Sequence, residues 1–246
     1  MSIATLTSGH AAHDAPAVER HPLAVRFLVA AGLIGPLFFF VVVVVEGATR
    51  PGYNAWHHVV STLALGPEGW VLTAGLAVLG VLLLCFAVGL RRVLNPGRGS
   101  TWGPILIGVS GLAFIGEVIF ASDPALGYPP GSAATSTLHG ILHNVLSVVF
   151  ETPTIIAACI VLARRFAQTP GGRPWVIFSI ATILVVVVLQ VLAIQAYLSN
   201  DPDSPFGLIQ RVQFFTLQGW IAVLAGRLLI GPAFAPGLQP GGARQR

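Results

Sequence analysis

LAVRFLVAAGLIGPLFFFVVVVV, residues 23–45, carries a single charge, Arg26, close to its start and is otherwise apolar. About 20 apolar residues suffice to cross the hydrocarbon core of a bilayer, and a cleavable signal core is shorter, so this stretch reads as a membrane-spanning helix. Pro36 lies inside it and frees a backbone carbonyl, which predicts a mild kink satisfied by a neighbouring helix. The rest of the chain is of the same kind. Of 246 residues, 54% are hydrophobic and 9% charged, where a soluble domain would carry about a quarter charged residues; the mean hydropathy is +0.81.

Working outward, five further apolar runs are separated by turn residues. The predicted spans are 24–46, 69–90, 102–121, 138–163, 174–198 and 206–230. The fold class is therefore all-α: an integral membrane bundle of six transmembrane helices over 23–230, flanked by a disordered cytoplasmic tail at 1–22 and a second cytoplasmic tail at 231–246. Gly66-Pro67-Glu68 and Ser204-Pro205 supply helix starts, and Asn95-Pro96-Gly97 is a tight turn. Gly103, Gly108, Gly111 and Gly116 in the third span suit close helix contact and predict a central position. Glu151 and Pro153 interrupt the fourth.

Arginine distribution gives the orientation. The chain has no lysine, and eleven of its 13 arginines fall at the end of the bundle that holds both termini. Arginine concentrates on the cytoplasmic side, which predicts cytoplasmic termini in a plasma-membrane protein and leaves the net charge of +4 with no nucleic-acid partner to explain. Only Arg50 and Arg211 lie opposite. Cys85 and Cys159 both sit within spans, so no disulfide framework is expected.

The outer end gathers the chemistry: His57, His58 and Ser61 in one loop, Asp123 in another, and His139 and His143 at the start of the fourth span. Two histidines four apart share a helix face and can reach one ion, and His57 could supply a third nitrogen, a ligand set that suits zinc with a fourth position open. The same residues also fit interface histidines that bond loop carbonyls and bind nothing, and HxxxH lacks the glutamate of HExxH. His58 is the alternative to His57. Ser61 follows His57 by four, so both face one way if that piece is helical. Asp123 before Pro124 fits a turn that bonds nearby amides equally well. Glu117 and Glu151 lie within spans, where a carboxylate faces the bundle interior and has a partner or a function, and His143, Ser147 and Glu151 form one polar stripe. Arg211 is the expected ion-pair partner for Glu117, Asp123 or Glu151.

His57-His58-Val59-Val60-Ser61-Thr62-Leu63-Ala64-Leu65-Gly66, the arginine pair after span two, Ser122-Asp123-Pro124 and Thr137-Leu138-His139-Gly140-xx-His143 together resemble the bacterial six-span family called domain of unknown function 998, over roughly residues 23–230. The resemblance implies the topology and no activity. More distantly, the serine and histidine four apart, the aspartate and the later HxxxH are similar to the alkaline ceramidase and adiponectin receptor superfamily of membrane hydrolases, which implies zinc on the histidines; here the histidine precedes the serine and there are six spans instead of seven. A similarity of the same distance to the Frag1 and DRAM-like membrane proteins implies lipid handling without metal catalysis.

Two function classes follow. One is a zinc-dependent hydrolase of a lipid ester or amide, with zinc on His57, His139 and His143, Asp123 or Glu117 orienting or deprotonating the bound water, and Ser61 at the oxyanion or water. The other is a noncatalytic protein that binds or transports a membrane lipid or other small molecule in a metal-free pocket that includes His58, Glu151 and Arg211.

Overall fold

The computed structural model describes residues 22–231 apart from 200 and 202, so the tails expected at 1–22 and 231–246 lie outside the described residues except for their innermost positions. Six helical segments are long and apolar enough to cross a membrane. They are α1 (Leu23–Thr49), α2 (Trp70–Leu94), α3 (Trp102–Ile119), a fourth segment built in three pieces, α6 (Arg173–Leu198) and α7 (Phe206–Ile230). No strand occurs among the described residues. Helices adjacent in the chain pack on one another, and α7 closes the ring on α1. Large exposed side chains such as Phe38, Val41, Val185 and Val188 point away from the bundle, as a lipid-facing surface requires.

Helix ends differ from the expected ones for electrostatic reasons. The apolar run of span two stops at 90, but α2 continues through Arg91 and Arg92 to Leu94, because cations are favoured against the partial negative charge of a helix C-terminus. Arg91 also donates to the carbonyl and hydroxyl of Ser100 at 2.8 and 2.9 Å, closing the turn to α3. Arg164 and Arg165 occupy the last turn of α5 (Thr152–Phe166), the final piece of the fourth segment, in the same way.

The fourth segment comprises α4 (Leu138–Val145), a π-helical turn (Leu146–Glu151) and α5 (Thr152–Phe166). Pro153 is the physical cause of the break, since it has no N–H to donate and its ring crowds the carbonyl four residues earlier. The amide of Thr152 bonds the Ser147 carbonyl, the five-residue step of a π-turn, and the Thr154 hydroxyl bonds the Glu151 carbonyl at 3.1 Å.

Glycines set a close helix contact between α2 and α3. A Cβ on Gly80 would lie 2.7 Å from the Gly111 carbonyl oxygen and 2.8 Å from Ile115, and one on Gly111 would lie 2.9 Å from the Gly80 carbonyl. Small residues here let the two backbones meet, as expected for the glycines of span three. Gly80→Val should therefore destabilise the bundle by about 1–3 kcal/mol through overpacking, read as a lower unfolding temperature of the detergent-solubilised protein. Gly219, with nothing within 4 Å of its missing Cβ, should accept alanine without loss; a Gly80→Val protein as stable as the wild type would refute the close-contact account.

Candidate functional site

The bundle end that carries the histidines is covered by two loops, largely irregular apart from a 3-10 turn at Val60–Ala64, and both outlying arginines secure the first of them. Arg50 pairs with Glu46 and donates to the carbonyls of Leu65 at 3.2 Å and Glu68 at 3.0 Å, with both partners of the ion pair buried. Arg211 donates from α7 to the carbonyls of Ala55 at 2.8 Å, His58 at 3.0 Å and Gly207 at 2.9 Å, and to the Tyr53 hydroxyl. The expected pairing of Arg211 with Glu117, Asp123 or Glu151 is thus corrected. Its planar fork of donors is used on backbone carbonyls that a loop at membrane depth would otherwise leave unsatisfied.

His57 and His58 belong to this cover. His57 Nδ1 donates to the Ser204 carbonyl at 3.1 Å. His58 Nδ1 instead accepts the Asn54 amide at 2.9 Å, and its other edge is turned to the Leu126 carbonyl, so the neutral ring ties one loop to the other. Tyr128 and Tyr53 flank it with ring centroids at 5.3 Å. Burial, then the nearby His57 and Arg211, hold the His58 pKa below its usual value; burial, opposed by Arg211, raises that of Tyr53. Residues 55–57 form a turn, 58 is a bend, Val59 is extended and only Val60–Ala64 is a 3-10 helix. Ser61 therefore does not share an α-helical face with His57, and its carbonyl accepts the Ser122 hydroxyl at 3.0 Å.

Asp123 works across its own loop. Its two oxygens accept the amide and the hydroxyl of Thr137, each at 2.7 Å, while the Thr137 hydroxyl accepts the Gly140 amide at 3.2 Å as the N-cap of α4. A Cβ on Gly140 would collide with the Asp123 carboxylate, which gives the Thr137-Leu138-His139-Gly140 stretch a structural reading: cap, then clearance for the acid that holds it. The Thr137 bonds keep Asp123 below the ordinary carboxylate range. His139 is exposed and stacks edge-on against Phe120, and His143 is buried with Nδ1 donating to the Phe120 carbonyl at 3.0 Å.

The fit to zinc can be tested on these contacts. In both His57 and His143 the Nδ1–H is held by a carbonyl, which leaves Nε2 available as it is in metal-bound histidines. Convergence is what fails. His57 sits with His58, Tyr53 and the Ser204 carbonyl, whereas His139 and His143 sit with Phe120 and Asp123, and among the described residues no three His, Cys, Asp or Glu side chains are placed to hold one ion. The residues present do not assemble the ligand set.

Chemistry with no structural employment lies deeper, at Glu117 on α3 and Glu151 at the end of the π-turn. Both are buried, as expected. Glu151 lies within electrostatic reach of Glu117, accepts the Ser147 hydroxyl at 3.4 Å, and Glu117 Oε1 has no hydrogen-bond partner. Gln213 bonds Gln190 between α7 and α6 at 2.7 Å, as helix glue, but the amide of Gln218 is buried without a partner. Reading the sequence alone missed Tyr53, Tyr128 and Ser204; the aromatic character of the first two is the signal that could have found them.

A family model described as protein of unknown function (DUF998) matches residues 33–227. The chain belongs to the DUF998 family. No curated protein and no solved structure matches it. The matched range includes the loop cover, the α4 cap and both buried acids.

Protonating His58 would convert the acceptor for Asn54 N–H into a donor beside Arg211. A histidine whose folded pKa is depressed contributes stability above its unfolded value of about 6.5 and loses it as the pH falls through that value. Asp123, lowered instead by hydrogen bonds, loses its contribution only below about 3.9, so the interval between belongs to the histidines, and comparison with His58→Gln separates His58 from the others. The unfolding temperature should fall as the pH drops from 7 to 5 in the wild type and fall less in His58→Gln; parallel pH profiles would remove His58 as the titrating group.

Proposed function

We propose that the protein binds, and transports or presents, a lipid or other small molecule without catalysis, and is not a zinc-dependent hydrolase. The observation that carries this reading is Glu117 Oε1, a buried carboxylate oxygen with no partner among the described residues, within electrostatic reach of Glu151 at a π-turn. Ionisable groups inside a membrane bundle mark ligand or ion pathways, and π-turns recur at functional positions. An unfilled acceptor in such a place suits a ligand that carries an N–H, O–H or cationic group. The hydrolase reading needs His57, His139 and His143 on one ion, and their contacts divide them between two neighbourhoods.

Native mass spectrometry of the full chain, purified without chelators, tests both readings at once. The expected spectrum shows no stoichiometric zinc and a lipid or small-molecule adduct that Glu117→Gln loses. Close to one zinc per chain, removed by His143→Ala in a protein that stays folded, would return the function to the hydrolase.

We also place the termini in the cytoplasm and the protein in the plasma membrane, from the arginine distribution. An impermeant thiol reagent applied to intact cells should label a cysteine at position 132 and spare one at position 97. The reverse pattern would invert the bundle and put the histidine-bearing end inside.

A further inference from the structure

Arg91 and Arg92 end α2 at the turn to α3. Residues 69–116, 152–199 and 206–231 contain no Asp or Glu, and both ion pairs among the described residues belong to Arg50. The Arg91 guanidinium is nonetheless held in place, since Nη1 donates to the carbonyl and the hydroxyl of Ser100. Those acceptors are neutral, so the cation is positioned without being neutralised, and its Nε and Nη2 can still donate. Arg92 is exposed and makes no hydrogen bond or ion pair among the described residues.

Both arginines open onto one groove. It lies between α2 and α3 with a volume of about 310 Å³, and Ala87, Val88, Pro104 and Ile105 line it together with Arg91, Arg92 and Thr101. Ala87 and Val88 precede the two arginines by four residues, so charge and apolar wall share one face of α2, about 6 Å apart along the axis. On α3, Pro104 and Ile105 follow Thr101, whose hydroxyl caps no helix amide. Val88 and Ile105 are each nearly half exposed on the surface that faces the bilayer. Trp102 beside them is 65% exposed, an indole at the depth where headgroups meet hydrocarbon.

Charge, then hydroxyl, then apolar wall within one helix turn is the order of phosphate, glycerol and acyl chain in a phospholipid. A phosphate esterified with choline or ethanolamine brings its own cation to two guanidinium groups that lack an anion, whereas a phospholipid of net negative charge supplies what they lack. A second copy of the chain would set the same acid-free end against this one, arginine against arginine. An acidic soluble protein would reach the arginines but not the walls one turn deeper. The smaller groove of about 200 Å³ beside Arg211 offers no such charge, because that guanidinium is committed to three carbonyls and Tyr53.

We propose that the groove between α2 and α3 binds one anionic phospholipid of the surrounding bilayer, with its phosphate on Arg91 and Arg92 and the first part of an acyl chain against Val88 and Ile105. This site is separate from the buried acids and does not rest on the binding reading above.

Native mass spectrometry of the full chain in detergent, titrated with dioleoylphosphatidylglycerol or dioleoylphosphatidylcholine, tests it. The wild type should retain one phosphatidylglycerol per chain at concentrations where phosphatidylcholine is lost. Arg92→Gln removes no contact within the protein and should weaken that retention about fivefold, the worth of one arginine at a membrane surface. Arg164 is an exposed arginine at the same end that does not line the groove, and Arg164→Gln should change retention by less than about twofold. Val88→Phe keeps every charge, narrows the groove and should weaken retention about as much as Arg92→Gln. Equal retention of the two lipids, or equal losses in Arg92→Gln and Arg164→Gln, overturns the site in favour of diffuse attraction. Wild-type retention in Val88→Phe overturns the groove as the seat of the acyl chain. Glu117→Gln should keep this adduct. A phosphatidylglycerol lost in Glu117→Gln and kept in Arg92→Gln belongs to the buried acids and overturns the proposal, whereas the lack of any adduct sensitive to Glu117→Gln sinks the binding reading alone.

Discussion

Backbone that leaves the helix at membrane depth must find its hydrogen bonds within the protein, and the cover over the histidine-bearing end depends on that constraint. Residues 50–69 expose carbonyls that no helix ladder can satisfy. Arg211 collects those of Ala55 and His58 from α7, and Arg50 collects those of Leu65 and Glu68 from the end of α1. Each guanidinium serves several acceptors at once, which an ammonium on a flexible stem does with less geometric definition. The second loop is then set on the first by Tyr128 against His58 and by the Ser122 hydroxyl on the Ser61 carbonyl.

This explains why two arginines sit where the charge distribution disfavours them. Arginine at a bundle end poor in other arginines is tolerated when its charge is spent on an internal partner, and Arg50 has Glu46 while Arg211 has a fan of carbonyl dipoles and a phenol. Arg50 is buried and Arg211 half-buried. The arginines at the other end behave differently, closing helix C-termini and turns, as Arg91 does with Ser100 and Arg165 with the Arg98 carbonyl at 2.7 Å.

The six spans were legible because the bilayer fixes a length and forbids charge, so apolar runs between turn residues suffice to find them. The break in the fourth was legible for a similar reason: Pro153 cannot continue the ladder, and Glu151 beside it marks an interior face. The site was less legible. Spacing of four between His57 and Ser61 has meaning only on an α-helix, and that stretch is a turn followed by a 3-10 helix. Asp123 could be read as a catalytic carboxylate or as a turn residue, and only the fold brings Thr137, fourteen positions on, to both of its oxygens. Arg211 looked like an ion-pair partner because charge seeks charge, but the backbone carbonyls of an irregular loop are also demanding acceptors where they are buried.

A cluster of histidines at a membrane surface draws attention to metal chemistry, yet the same rings are good structural parts, since each neutral imidazole offers one donor and one acceptor. His57 and His143 each give the donor to a carbonyl, and His58 gives its acceptor to an amide. Glu117 has no comparable employment. It caps no helix and meets no arginine, and one of its oxygens is bonded to nothing, although an acid in this position is costly to keep. A glutamine would fill the same volume without the charge. Like the unpartnered amide of Gln218, the carboxylate is a part of this bundle that its architecture does not explain, and because it is also buried where charge is expensive, it is the group on which the proposed binding function rests.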